Sequence, residues 1–193
     1  MTVARWIPIL FLVCMGCAKP YTLTASRDNS PWFGTGDITE IHIPENQTCS
    51  IDRFSVTIRT DLPFDQKTSK STRKVTGCMG KCTPTQWLGI YQIPLTKGVY
   101  NLALADTCLQ TKVAKSSQTL TVAKASLQLM DTGTGNPQMI YQFSEKDQGQ
   151  VRVTKLNRIT GQVKGRFELT LTGANGQSTR FTRGRFNGKL MRQ

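Results

Sequence analysis

Arg166-Phe167-Glu168-Leu169-Thr170-Leu171 decides the fold class. Phe167, Leu169 and Leu171 alternate strictly with Arg166, Glu168 and Thr170. In an extended chain successive side chains point to opposite faces, so this stretch buries one face and wets the other. Phe54, Val56 and Ile58 alternate in the same way with Ser55, Thr57 and Arg59. One buried and one solvated face is the mark of an antiparallel sheet, and no segment sustains the 3.6-residue period of a helix. These six apolar residues are expected in the core.

Working outward, further strands are expected at 21–26, 37–43, 86–93, 99–105, 120–122, 126–130, 139–143, 150–156 and 180–186. Turn clusters separate them: Asp28-Asn29-Ser30-Pro31, Thr132-Gly133-Thr134-Gly135-Asn136-Pro137 and Gly173-Ala174-Asn175-Gly176-Gln177. Many short strands with frequent turns predict an all-β chain, a single antiparallel β-sandwich or barrel-like domain. Its best-defined unit is a three-stranded meander over 150–156, 161–172 and 179–186. Gly161, Gly165, Gly184 and Gly188 suggest bulges or sharp coiling within it. The Ser-, Thr- and Lys-rich segment 65–74 reads as an exposed loop.

The N-terminus carries a different signal. Arg5, the apolar run 6–15 and then Gly16-Cys17 have the layout of a secretory signal peptide. The run is shorter than the roughly 20 apolar residues that span a bilayer. Leu12-Val13-Cys14-Met15-Gly16-Cys17 resembles a bacterial lipobox, although Cys14 and Met15 stand where that motif usually carries Leu and Ala or Ser. The expected division is a signal peptide over 1–16, a lipidated N-terminus and tether over 17–20 with Cys17 acylated, and the β-rich domain over 21–193. Acyl chains on Cys17 would anchor the chain to a membrane without spanning it. With no early acidic residue after Ala18 and Lys19, the periplasmic face of an outer membrane is the expected location.

Export bears on the remaining cysteines. Cys49, Cys78, Cys82 and Cys108 are even in number, which in an oxidising compartment favours disulfides. The segments 86–93 and 99–105 flank Pro94-Leu95-Thr96-Lys97-Gly98, so a hairpin is expected there. Extending its register brings Cys82 towards Cys108 and leaves Cys49 for Cys78. The rival pairing joins Cys78 to Cys82 and Cys49 to Cys108. A zinc site is a third reading of Cys-x-x-x-Cys, weakened by the absence of a second close pair.

The chain carries a formal net charge of +13, unevenly placed. From 151 to the end, ten basic residues face Glu168 alone. Such a field attracts anionic partners and speeds their encounter. Behind a signal peptide the available polyanions are acidic glycans and lipid headgroups, and nucleic acid is not the expected partner. Arg166, Arg183, Arg185 and Lys189 could share the solvated face of the meander, where guanidinium forks suit phosphate or carboxylate. The competing reading is a merely solvated surface.

Several residues recur in order in one known family. Leu23-Thr24-Ala25, Pro31-Trp32 and Lys97-Gly98-Val99-Tyr100-Asn101-Leu102 precede an ending of Val151-Arg152-Val153-Thr154-Lys155-Leu156, Ile159-Thr160-Gly161, Phe167-Glu168-Leu169-Thr170 and Gly184-Arg185-Phe186-Asn187. This pattern resembles the small β-rich envelope lipoproteins common in Bacteroidota, with their "ITKLD…ISGTFSF…DGRF" finish. The chain departs from it in Arg183, where an acidic residue is usual, in a shortened turn at Asn157-Arg158, and in the basic loop near Lys70. The resemblance implies an envelope location and a β fold. It implies no catalytic residue, no cofactor and no established activity.

Candidates for chemistry are sparse. His42, the single histidine, lies in Ile41-His42-Ile43, where alternation points it away from its apolar neighbours. Asp28, Asp37 and Glu40 could converge with Asp61 and Asp65 as a carboxylate pair, but the spacing is unmatched. Trp32 and Trp87 could stack on sugars, yet both are expected in the core. The expectation is therefore a non-catalytic envelope lipoprotein that binds or scaffolds, with no metal. The alternatives are a binder of an anionic glycan or lipid headgroup through the basic face, and a periplasmic hydrolase built on His42 or several carboxylates.

Overall fold

The computed structural model describes residues 22–41, 52–62, 83–102, 120–121, 124–131 and 133–192. Among them are eleven strands and no helix: β1 (Thr22–Arg27), β2 (Ser30–Ile41), β3 (Arg53–Thr60), β4 (Gln86–Pro94), β5 (Gly98–Asn101), β6 (Leu120–Thr121), β7 (Ala125–Met130), β8 (Pro137–Gln142), β9 (Gly149–Asn157), β10 (Gln162–Gly173) and β11 (Ser178–Met191). All belong to one sheet that closes on itself. β11 adjoins β2, and the order then runs through β3, β4, β7, β8 and β10 back to β11. Within that ring, closure pairs strands that an open sheet would leave as edges. β1 lies against both β2 and β11, while β9, β5 and β6 extend from β10. The all-β, barrel-like expectation holds. Two pairings are parallel, β11 with β2 and β5 with β6, and the others are antiparallel.

The alternating stretches make the interior. Phe54, Val56, Ile58, Phe167, Leu169 and Leu171 are all buried, together with Trp32, Phe181 and Phe186. The Phe181 ring meets Trp32 edge-on at 5.1 Å and Phe167 at 6.5 Å. Two glycines of the meander make room for this aromatic core. Gly165 stands opposite Phe186, and Phe167 opposite Gly184. A Cβ on Gly165 would lie 2.1 Å from the Phe186 ring, and one on Gly184 2.6 Å from Phe167. Each ring thus lies over the glycine of the facing strand, which lets the long β10–β11 ladder coil tightly around the core.

The meander forms as the sequence predicts, with β10 between β9 and β11. β11 continues past 186 to Met191. The β1–β2 hairpin turns on Asp28 (φ 48°) and Asn29 (φ 67°), the left-handed pair that a two-residue hairpin requires. β2 begins at Ser30, well before the expected 37. The expected hairpin between 86–93 and 99–105 does not form. β4 pairs with β3 and β7, and β5 crosses to pair with β9 and β6. The Pro94–Gly98 segment turns, but the Leu95 N–H bonds to the Asp52 carbonyl at 2.7 Å, directing the chain over the barrel end instead of back along β4. The register that favoured Cys82 with Cys108 is therefore lost. Cys17, Cys49, Cys78, Cys82 and Cys108 lie outside the described residues.

Candidate anion-binding face

The meander's outer face gathers the basic residues because its inner face is wholly committed to the core. Along β10, Val163, Gly165, Phe167 and Leu169 point inwards, leaving Lys164, Arg166 and Glu168 outwards. The β9 and β11 registers then place Arg152 and Arg185 directly opposite Arg166, one on each side. Three arginines stand in a row across three adjacent strands, about 5 Å apart at their Cβ atoms. Arg152, Arg166 and Arg185 are exposed, and none of their side chains forms an ion pair or hydrogen bond among the described residues. One row along, Lys164 faces Lys155. Like charges placed directly opposite each other destabilise a sheet, so this array opposes folding.

Of the residues expected here, Arg166 and Arg185 are brought together. Lys189 faces Gln162 near one end of the barrel. Arg183 is exposed beside Gly184 in a bulge where the β10–β11 register shifts, and it adopts a left-handed φ of 54°. That conformation costs a non-glycine residue about 1 kcal/mol. Arg152 is not among the expected residues; the register shift between Lys164 and Gly165 brings it opposite Arg166.

A polar groove of about 690 Å³ opens next to this row, lined among others by Asn101, Lys146, Gln150, Glu168 and Arg180. Gln150 and Glu168 are two residues from Arg152 and Arg166 on their strands, so groove and arginine row are continuous. Amide, carboxylate and cationic groups around an open groove can meet the hydroxyls of a sugar, while the row meets its acidic groups.

The other candidates separate. Trp32 is buried, its indole N–H donating to Gln86 Oε1 at 2.9 Å. Trp87, expected in the core, lies half-buried on the outer face, because burial of its neighbours Gln86 and Leu88 turns it outwards. The Arg59 guanidinium covers its ring at 5.4 Å. The acids do not converge. Asp28 accepts from Thr179 and the Arg180 N–H, Asp37 pairs with Arg59, and Glu40 pairs with Arg192 at 3.4 Å. His42 and Asp65 lie outside the described residues.

A buried arginine that the sequence did not announce ties the far end of the barrel. Arg27 Nη1 donates to Gln86 Oε1 at 2.7 Å and its Nε to Thr179 Oγ1 at 2.9 Å. Gln86 Nε2 in turn donates to the Leu62 carbonyl at 2.8 Å. Burial pushes the Arg27 guanidinium below its ordinary pKa, opposed by the nearby Asp28 carboxylate. These bonds join β1, β4 and β11 and are structural in character.

No family model matches the chain, and comparison with curated proteins and with solved structures likewise gives no match.

Proposed function

We propose that the protein is a non-catalytic cell-envelope lipoprotein that binds anionic glycans, including the glycolipid headgroups of the envelope, through the outer face of β9, β10 and β11. The observation that carries this reading is the unpaired row Arg152–Arg166–Arg185 beside a polar groove. Guanidinium forks bind phosphate and carboxylate bidentately, and a row held against its own repulsion gains most from an anionic ligand. Support for the envelope comes from the export signal with Gly16-Cys17 and from the family resemblance of the chain's ending.

The test has two arms. Labelled palmitate should enter the wild type and fail to enter Cys17→Ser; equal labelling removes the lipoprotein part. Separately, the purified protein should bind lipopolysaccharide and heparin at 0.15 M salt, where the Debye length is about 8 Å. Arg152→Ser/Arg166→Ser/Arg185→Ser should weaken both at least tenfold. Binding that vanishes at this ionic strength, or a triple variant that binds like the wild type, would reduce the face to a solvated surface. Heparin binding without lipopolysaccharide binding would assign a free glycan over a glycolipid.

Arg183 supplies an independent check. Arg183→Gly should raise stability by about 1 kcal/mol in denaturant unfolding, because glycine adopts the left-handed conformation without strain. The same variant should lose affinity for the anion. A stabilised variant with undiminished binding would mean that Arg183 is not part of the face.

A further inference from the structure

The β9–β10 turn presents an apolar side chain to solvent. Ile159 is 97% exposed. Its position is imposed: Asn157 Oδ1 accepts from the backbone N–H groups of Ile159 and Thr160, both at 3.0 Å, closing the turn beneath it. Arg158 beside it is held by Asp52 at 3.8 Å and donates to the Leu95 carbonyl at 3.3 Å. Arg192 donates to the Arg158 carbonyl at 3.3 Å. Met191, 45% exposed, ends β11 on the same rim.

The strand registers place further charges there. Lys189 faces Gln162, Lys155 precedes the turn on β9, and Lys97 lies in the β4–β5 turn whose Leu95 Arg158 contacts. Among the described residues the rim thus carries Lys97, Lys155, Arg158, Lys189 and Arg192 against two carboxylates, Asp52 and Glu40, each paired with a rim arginine. Among the described residues, the opposite end carries two turn aspartates beside Arg27 and Arg180. Asp28 lies in the β1–β2 turn, and Asp131 starts the β7–β8 turn. The Gly133 N–H and the Thr134 hydroxyl hold the Asp131 carboxyl below its ordinary pKa. The basic rim is tipped with isoleucine.

We propose that this basic rim docks on an anionic bilayer surface, with Ile159 entering the headgroup boundary and the surrounding cations engaging lipid phosphates. An exposed apolar tip ringed by cations is complementary to such a surface, where apolar burial and charge attraction act together. The identity of the bilayer as the protein's own membrane rests on the lipoprotein reading. β1 supports that orientation. Thr24 faces Arg185, so the start of β1 points towards the Lys189 end of β11, and Cys17 stands five residues before Thr22.

The test uses Ile159→Trp in the processed protein purified from the envelope of cells expressing the full sequence. On vesicles of roughly equal phosphatidylcholine and phosphatidylglycerol, brominated acyl chains should quench the added tryptophan emission relative to the wild type; on phosphatidylcholine alone they should not. Adding Lys155→Gln and Lys189→Gln should weaken the quenched state about 30-fold, at about fivefold per charge. No quenching on the anionic vesicles, or equal quenching on both kinds with no effect of the lysines, overturns the proposal. The outcome is separable from acylation. An acylated protein whose residue 159 stays unquenched refutes the rim and keeps the anchor, whereas quenching without acylation keeps the rim and refutes the anchor.

Discussion

Replacing Phe181 by alanine should cost about 3 to 5 kcal/mol of unfolding free energy. The ring is fully buried and meets two other large aromatic rings of the core, Trp32 edge-on at 5.1 Å and Phe167 at 6.5 Å. Removing it deletes the buried area and leaves a cavity that rings on closed strands cannot collapse to fill. Edge-to-face contacts add about 0.5 to 1.5 kcal/mol beyond the area. The measurement is the urea midpoint at constant slope. Phe181→Leu, which keeps most of the volume, should cost clearly less. Equal losses for the two, or a loss under about 1 kcal/mol for alanine, would mean that the aromatic layer is not the core of the barrel.

The second large effect is expected at Arg27. Arg27→Ala removes two charge-assisted hydrogen bonds, to Gln86 and Thr179, from a site where the arginine is 6% exposed. Such bonds contribute about 1.5 to 3 kcal/mol each when a partner is left buried. Asp28 remains half-exposed and regains water, and Gln86 keeps its bonds to Trp32 and Leu62. The net loss should therefore be about 3 kcal/mol. Because the two side chains share a bond, Arg27→Ala and Gln86→Leu together should cost less than their separate losses added, by about 0.5 to 3 kcal/mol. Strict additivity would show that the bond contributes nothing to stability.

These two sites differ in how much of them the sequence discloses. Phe181 sits in a segment whose strand character is legible, and Phe167 announces its burial by alternation. Arg27 gives no such signal. It ends a short strand before a turn, a place where an arginine is normally solvated, and its burial follows only from β4 and β11 arriving with Gln86 and Thr179 to accept its protons.

The arginine row lies between these cases. Arg166 and Arg185 are readable as residues of one solvated face, because strand alternation sends both outwards. Their placement directly opposite each other, and that of Arg152 opposite Arg166, depends on register shifts within β10 that the turns do not announce. The groove beside them is not readable, since Asn101 reaches it only through β5 pairing with β9. The strand arms around Pro94 show why. A turn signal reports that the chain bends, but the partner of each arm is chosen by long-range burial, and here β3 and β7 provide it for β4.

The sequence by itself determined the β class, the inward and outward faces of the two clearly alternating strands, the meander and the concentration of positive charge on it. Those properties are local, because a period of two and the turn residues are written in neighbouring positions. The tertiary structure alone decided the closure of the sheet, the parallel seam of β11 with β2, the buried Arg27 network and the isoleucine-tipped basic rim. Each of these joins segments distant in the chain, and such partners are selected by which pairing buries the common apolar interior and satisfies the backbone.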